Sequence, residues 1–336
     1  MSGRRGGAGK IRAGVAGCGA FGRHHARVYR ELGALEGVYD TDRGRAEAVA
    51  REHEARVFGS LEELAGACQA ASVATPTATH AEAGVALLEA GCHVLVEKPI
   101  APTLAEADRL AAAARAAGRV LQAGHLERFN PAVQAVRARV TRPLFFEVHR
   151  LSPFTPRSLD VDVLLDLMIH DLDLVLMLAG GEIAEIRGVG LPVLTAQVDI
   201  ANVRLALDNG CVANLTASRV STERVRKLRF FQPGEYVSLD YARQDAHIFA
   251  LQGAAAMPGG GGREAGFDPA RRIAHQHLTP PQQEPLRLEL EHFLACVQTG
   301  AEPEANAAVA RRALAAALAA AAAIREHARR VGVGKN

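Results

Sequence analysis

The stretch Gly14–Asp42, GVAGCGAFGRHHARVYRELGALEGVYDTD, decides the fold. A short apolar run leads into Gly17-Cys18-Gly19-Ala20-Phe21-Gly22, a GxGxxG spacing after a strand-like segment and at the mouth of a helix-like one. Each glycine has a mechanical task in a phosphate-binding turn. Gly17 permits the tight turn, Gly19 lets backbone approach a pyrophosphate, and Gly22 lets the helix sit close to the sheet. The first turn of that helix, beginning at Ala20 and Phe21, offers N–H groups and partial positive charge to phosphate. Asp40 closes the next strand, 23 residues beyond Gly17. Its carboxylate can accept both hydroxyls of an adenosine ribose and would repel a 2′-phosphate. The stretch predicts NAD in preference to NADP, with Arg43 the nearby cation that would favour the phosphate.

Outward from this stretch the same alternation repeats. EGVYD, ASVAT, HVLVEKP and RVLQAGH read as strands; RGRAEAVAREH, ATHAEAGVALLEAG and TLAEADRLAAAARAAG read as helices between them. Short apolar strands separated by amphipathic helices are βαβ units, and they predict a doubly wound parallel sheet over residues 10–125. After Phe129 the pattern changes. LDVDVLLDLMIHDLDLVLMLAG reads as one long buried helix, followed by alternating strands and an Asp208-Asn209-Gly210 turn. Residues 126–330 are therefore expected to form a second α/β domain with an open, mostly antiparallel sheet. Met257–Gly266, with glycines at 259–262, reads as a mobile hairpin loop, and the Ala-rich segment from Asn306 reads as a helix.

Bulk composition narrows the function. The 336 residues carry 39 basic and 37 acidic side chains and no Trp, so no broad cationic or base-stacking surface points to nucleic acid. The five cysteines, at 18, 68, 92, 211 and 296, are odd in number, widely spaced and free of CxxC. They read as reduced thiols of a cytoplasmic protein. The AALAAAAAI run near the C-terminus reads as too short to cross a membrane.

The chemistry is expected beyond the carboxyl ends of the parallel strands. Lys98, in VEKP, follows a strongly apolar strand and is fixed by Pro99, so it reads as a group near a nicotinamide rather than a solvated surface lysine. Glu97 precedes it. Thr75 and Pro76, in ATPTATH, occupy a strand-to-helix turn suited to the nicotinamide half. His80 reads either as a cofactor contact or as a first-turn helix residue. His125, Arg128 and Asn130, in AGHLERFNP, leave the last parallel strand and read as substrate-side groups, with a domain-interface ion pair as the other reading of Arg128. In DLMIHDLD, Asp166 and His170 stand at i and i+4. A metal pair and a structural His–Asp hydrogen bond are both open; the sharper reading is an acid/base imidazole with an orienting carboxylate. Asp171 and Asp173 are expected to cap or pair locally. The spacing offers no third metal ligand, and no resident metal is expected.

GCGAFG, the acid at Asp40, ATPTATH, VEKP, GHLERFNP and DLMIHD, in this order, resemble the glucose–fructose oxidoreductase / inositol dehydrogenase (Gfo/Idh/MocA) family over nearly the whole chain. The resemblance implies a Rossmann domain followed by an α/β domain whose open sheet carries substrate and subunit contacts. It makes Lys98 the lysine of the EKP motif and Asp166 and His170 the DxxxH pair. Within the family, GHLERFNPAV and LLDLMIHDLDLVL are most similar to the branch acting on UDP-N-acetylglucosamine at C3, which feeds amino-sugar formation for lipid A. The implied reaction is hydride transfer between a sugar carbon and the nicotinamide, with His170 or Lys98 taking the hydroxyl proton. Other sugar or cyclitol dehydrogenases, a bilin or imine reductase and a non-catalytic NAD-binding sensor are the remaining readings. A homodimer or homotetramer through the open sheet is expected, because one sheet face would otherwise be bare.

Overall fold

A computed structural model describes residues 10–155, 162–252 and 272–332. The chain divides into two units. Residues up to Leu126, together with Glu284–Leu314, form the first; Glu127–Gln283 and the residues from Ala315 onward form the second. The glycine loop of Met257–Gly266 lies outside the described residues.

In the first unit β1 (Ala13–Ala16), β2 (Leu35–Tyr39), β3 (Arg56–Val57), β4 (Ala70–Val73), β5 (His93–Val96) and β6 (Leu121–Ala123) pair in parallel in the order 3-2-1-4-5-6. β1, β4 and β6 are buried throughout and β5 in three of its four residues, which is why these strands read as continuous apolar runs rather than alternating ones. The connections are α1 (Ala20–Glu31), α2 (Arg43–His53), α3 (Leu61–Ala67), α4 (His80–Glu89) and α5 (Leu104–Ala117). Side chains start several of them: Asp42 accepts from the Arg45 N–H, Ser60 from Glu63 and Thr103 from Glu106. Gly118, at φ +61°, ends α5. α8 (Pro285–Thr299) packs Leu286, Leu290 and Phe293 into the same core as Val15, Val28 and Tyr29. This return of Glu284–Leu314 adds a second segment to the unit that the sequence reading confines to 10–125.

In the second unit α6 (Pro131–Arg137) and α7 (Ile169–Ala179) accompany eight strands: β7 (Phe145–Leu151), β8 (Ile183–Leu191), β9 (Ile200–Leu207), β10 (Val212–Ser218), β11 (Val225–Gln232), β12 (Glu235–Asp240), β13 (Asp245–Leu251) and β14 (Ile273–Leu278). The sheet order is 14-13-12-11-7-10-9-8; β7 and β10 run parallel and every other neighbouring pair antiparallel. Alternation sorts its faces. Phe146, Val148, Val203, Leu205, Leu215, Phe230, Val237 and Ile248 are buried, while the intervening residues are half-buried or exposed. The predicted turn appears between β9 and β10, with Gly210 at φ +85°.

The long helix expected before β8 is interrupted. Leu164–Met168 forms a π-helical turn, and α7 begins only at Ile169. The last helix, α9 (Ala307–Val331), lies where the Ala-rich segment from Asn306 predicts it. By length and composition alone it could span a bilayer, and 44% of its most apolar window is buried within the protein. Ala310, Ala313, Leu314, Ala317, Ala320, Ala321 and Ile324 form its buried stripe at helical spacing.

Candidate functional site

The cofactor cradle is built at the carboxyl ends of β1, β4 and β5. Gly17 has φ +95°, and a Cβ there would lie 2.6 Å from the Ala74 carbonyl. A Cβ on Gly22 would lie 1.7 Å from the Gly17 oxygen. These two glycines are demanded by the protein itself. Gly19 is different: among the described residues nothing lies within 4 Å of the position its Cβ would take. The space beside Gly19, at the N-cap of α1, fits a pyrophosphate approaching backbone. Asp40 reaches this loop directly. Its Oδ2 accepts from the Cys18 N–H at 2.7 Å and its Oδ1 from the Asp42 N–H at 2.8 Å, which aims the carboxylate from the end of β2. Burial, then the Asp40 charge, pushes the Cys18 thiol up to about 12, so it is an inert neutral group under the loop.

Titration should show NADH bound at least about tenfold more tightly than NADPH, because a carboxylate fixed at the end of β2 would face the ribose edge of a bound dinucleotide. Asp40→Ala should narrow that ratio. Tighter NADPH binding by the unaltered protein would overturn the role of Asp40.

Lys98 follows β5, half-buried, and its peptide is pinned on both sides. On one side Glu97 points inward and accepts from His25 Nε2 at 2.8 Å; His25 Nδ1 meets Ser72 Oγ at 2.9 Å, and Tyr29 hydroxyl meets the same Ser72 oxygen at 2.9 Å. Burial works to raise Glu97, but the hydrogen bond and charge of His25, with Lys98 and His80, hold its carboxyl below the ordinary range. On the other side His80, only 1% exposed, places Nδ1 2.8 Å from the Pro99 carbonyl and Nε2 2.9 Å from the Thr75 carbonyl. Burial lowers its pKa. The Lys98–Pro99 peptide is cis.

His80 and Glu97, expected at the cofactor, bond to the protein's own framework: His80 staples the Thr75 turn to the lysine turn, and Glu97 ties the lysine turn to His25 of α1. Thr75, half-buried beside the exposed Pro76, keeps the position expected of it at the end of β4. His25 was missed. Its signal was the i, i+3, i+4, i+7 face of α1, on which Gly22, His25, Ala26 and Tyr29 are all buried.

Behind this network Glu289 of α8 is fully buried, and neither carboxyl oxygen has a hydrogen-bond partner among the described residues. Burial, then the Glu97 charge, pushes its pKa well above the usual carboxylate range. The folded state therefore keeps a proton that the unfolded chain releases above about pH 4.3. Stability is drained as pH rises from there toward the folded value. Glu289→Gln keeps the shape and removes the titration. Scanning calorimetry should show a Tm gain that vanishes near pH 4 and grows as pH rises above the ordinary carboxylate range.

In the second unit, Asp166 lies half-buried in the π-turn and His170 is buried in the first turn of α7. π-turns inside helices recur at functional sites. The two aspartates that follow His170 are held by buried ion pairs. Asp171 takes two hydrogen bonds from Arg150 of β7, at 2.7 and 2.9 Å, and Arg150 also reaches Glu127 at 3.1 Å. The Arg150 guanidinium lies over the Tyr241 ring, 5.4 Å from its centroid. Burial opposes the charge on Arg150, but Asp171 and Glu127 more than offset it.

Asp173 takes two bonds from Arg128, both 2.7 Å. The expectation that Asp171 and Asp173 cap or pair locally is corrected: their partners lie 21 and 45 residues away. Arg128 is buried in an ion pair within its own unit, not across domains. Asn130 is buried too; it caps α6 through the Ala132 N–H and donates to the Tyr241 carbonyl at 3.1 Å. Arg128 and Asn130, read as substrate-side, are framework groups. His125, just after β6, is 1% exposed.

Comparison with known proteins places these features. Residues 11–125 match the profile described as "Oxidoreductase family, NAD-binding Rossmann fold", and residues 116–232 that of the GFO/IDH/MocA C-terminal domain. UDP-N-acetylglucosamine 3-dehydrogenase from Acidithiobacillus ferrooxidans is 41% identical over 310 residues, 92% of this chain and 95% of that protein. A solved structure of that enzyme superposes with a TM-score of 0.86 at 38% identity, covering 94% of this chain and 98% of the other. The scyllo-inositol 2-dehydrogenase (NAD(+)) of Bacillus subtilis is 27% identical over 88% of both chains. A levoglucosan dehydrogenase solved with NADH and levoglucosan shares the fold, with a TM-score of 0.81 at 17% identity over 94% of this chain and 97% of the other. With its NAD-binding glycine turn, its EKP lysine and its two matching domains, the chain belongs to the Gfo/Idh/MocA family of oxidoreductases.

Proposed function

We propose that this dehydrogenase oxidises the C3 hydroxyl of UDP-N-acetylglucosamine with NAD. The observation that carries the reading is the doubly pinned lysine turn at the end of β5, beside the glycine cradle, in a chain 41% identical to an enzyme named for that reaction. Gly17, Gly19, Gly22, the first turn of α1 and Asp40 would hold NAD, which supplies the hydride acceptor when bound. The remaining tasks fall to side chains. The hydroxyl proton must leave as the carbon gives up hydride. His170 is the base, oriented by Asp166, and Lys98 hydrogen-bonds the reacting oxygen and stabilises its alkoxide character. A lysine partly desolvated beside a cationic ring can also take the proton itself. The ketone formed at C3 is what an amino-group transfer would consume on the way to the amino sugar of lipid A.

Five buried, unpaired cysteines support a cytoplasmic setting. The half-buried row Phe145, Phe231, Tyr236 and the exposed Phe249, stacked at centroid spacings of 4.8–5.7 Å across the open sheet face, supports a homodimer or homotetramer through that face. The deciding assay follows NADH formation with UDP-N-acetylglucosamine, UDP-glucose, myo-inositol and scyllo-inositol as substrates. Turnover confined to the N-acetylated nucleotide sugar is expected; preference for an inositol would overturn the substrate.

A further inference from the structure

We infer that the β13–β14 corner of the second sheet, on the face that carries Phe249, is a binding site for a divalent transition ion of the zinc class, held by Asp245, His247 and His277, with His275 orienting His247. The ligands come as two i, i+2 pairs, Asp245/His247 on β13 and His275/His277 on β14, so each pair projects from one face of its strand. The antiparallel register sets His247 directly opposite His277, which brings both pairs to the same face. One ligand atom from each of Asp245, His247 and His277 lies within 4.8 Å of the other two.

The His277 Nε2–Asp245 Oδ2 separation is 3.0 Å. Ligand bonds of about 2.0–2.2 Å around a tetrahedral ion put neighbouring donors roughly 3.3 Å apart, so this pair already has the spacing. The His247 and His277 rings stack at 4.2 Å and 6°. Closing on an ion needs one ring to turn about χ2, a soft sp³–sp² torsion. His247 Nδ1 meets His275 Nε2 at 3.0 Å, the outer hydrogen bond that metal-bound imidazoles characteristically make, and its other nitrogen is the one assigned to the ion.

Asp240 stands across the ladder from Asp245 and adds negative charge, which Lys227, 4.0 Å from Asp240, partly offsets. Two imidazoles and one carboxylate favour zinc, copper, nickel or cobalt over magnesium or calcium. Three protein ligands leave one position open. None of these four residues is among those given to the dehydrogenase reaction.

The test uses the assembled, untagged protein, stripped with EDTA and titrated with ZnCl₂ by calorimetry and with Co²⁺ by visible absorption. One Zn²⁺ per chain and a tetrahedral Co²⁺ spectrum without thiolate charge-transfer bands are expected. His247→Ala and His277→Ala should each abolish both, with dehydrogenase turnover unchanged. His275→Ala should weaken Zn²⁺ binding about 10–100-fold, the usual loss for an orienting partner. Zn²⁺ should also raise Tm in the unaltered protein and not in His277→Ala, a readout that registers whether the variant is folded. No Zn²⁺ uptake by the unaltered protein, or uptake that survives both His247→Ala and His277→Ala, would overturn the site.

Discussion

Lys98→Met should lower turnover by about 10²–10⁴-fold, the usual loss for a positioned proton-transfer or charge-stabilising group. The dissociation constant for NAD should change by less than about threefold, since the change removes an interaction made in the transition state rather than in the binary complex. The expectation rests on how the lysine is held. Glu97 is drawn into the core by His25, and the Pro99 carbonyl is met by His80, so the intervening residue has little freedom to relocate. Methionine keeps the unbranched apolar stem, so the loss reports the ammonium rather than packing. His25→Asn, which loosens Glu97 without touching the lysine, should give a smaller fall in turnover and shift the pH–rate profile. Single-turnover rates and equilibrium NAD titration separate the two quantities. A Lys98→Met protein within about threefold of normal turnover would remove the lysine from the chemistry.

What the sequence disclosed follows from how local each signal is. The βαβ run was legible because strands buried on both faces are short apolar words, and the GxGxxG turn states its own geometry. α3 went unread although Ser60 and Glu63 announce it: Ser60 accepts from the Glu63 N–H and Glu63 accepts from the Gly59 N–H. The return of α8 had no local signal. It is fixed by apolar contacts and by ion pairs such as Arg27–Glu284 and Arg287–Glu31, whose partners are more than 250 residues apart. The acid/base candidates were visible as polar groups on an apolar helix, but their support was not. Arg150 carried a signal that parity could have caught: it shares the buried face of β7 with Phe146 and Val148. A charge on that face demands an opposite one, and Asp171 and Asp173 were waiting on an apolar helix.

Asp171→Ala should cost about 3–5 kcal/mol, the usual penalty for stranding one member of a buried ion pair. That lowers the melting temperature of the second unit by roughly 10 °C, taking about 2–4 °C per kcal/mol for a domain of this size. The side chains of Arg150 and Asp171 are 5% and 2% exposed, so solvent cannot replace the missing carboxylate. Glu127 remains bonded to Arg150 and sets the loss at the lower end of the range. The surface pair Arg311–Asp108, with both side chains about half exposed, provides the contrast: Asp108→Ala should cost under about 1 kcal/mol. The triple change Arg150→Met, Asp171→Leu, Glu127→Gln should recover much of the deficit, because it removes all three buried charges instead of orphaning one. Turnover should not recover with it. Asp171 and Asp173 follow His170 within the first turns of α7, and a refilled apolar contact restores packing without the directional bonds that orient those turns. Stability regained with catalysis still impaired, and NAD binding by the first unit intact, is the outcome that assigns Asp171 to holding the base in place; full recovery of turnover would leave it a purely structural role.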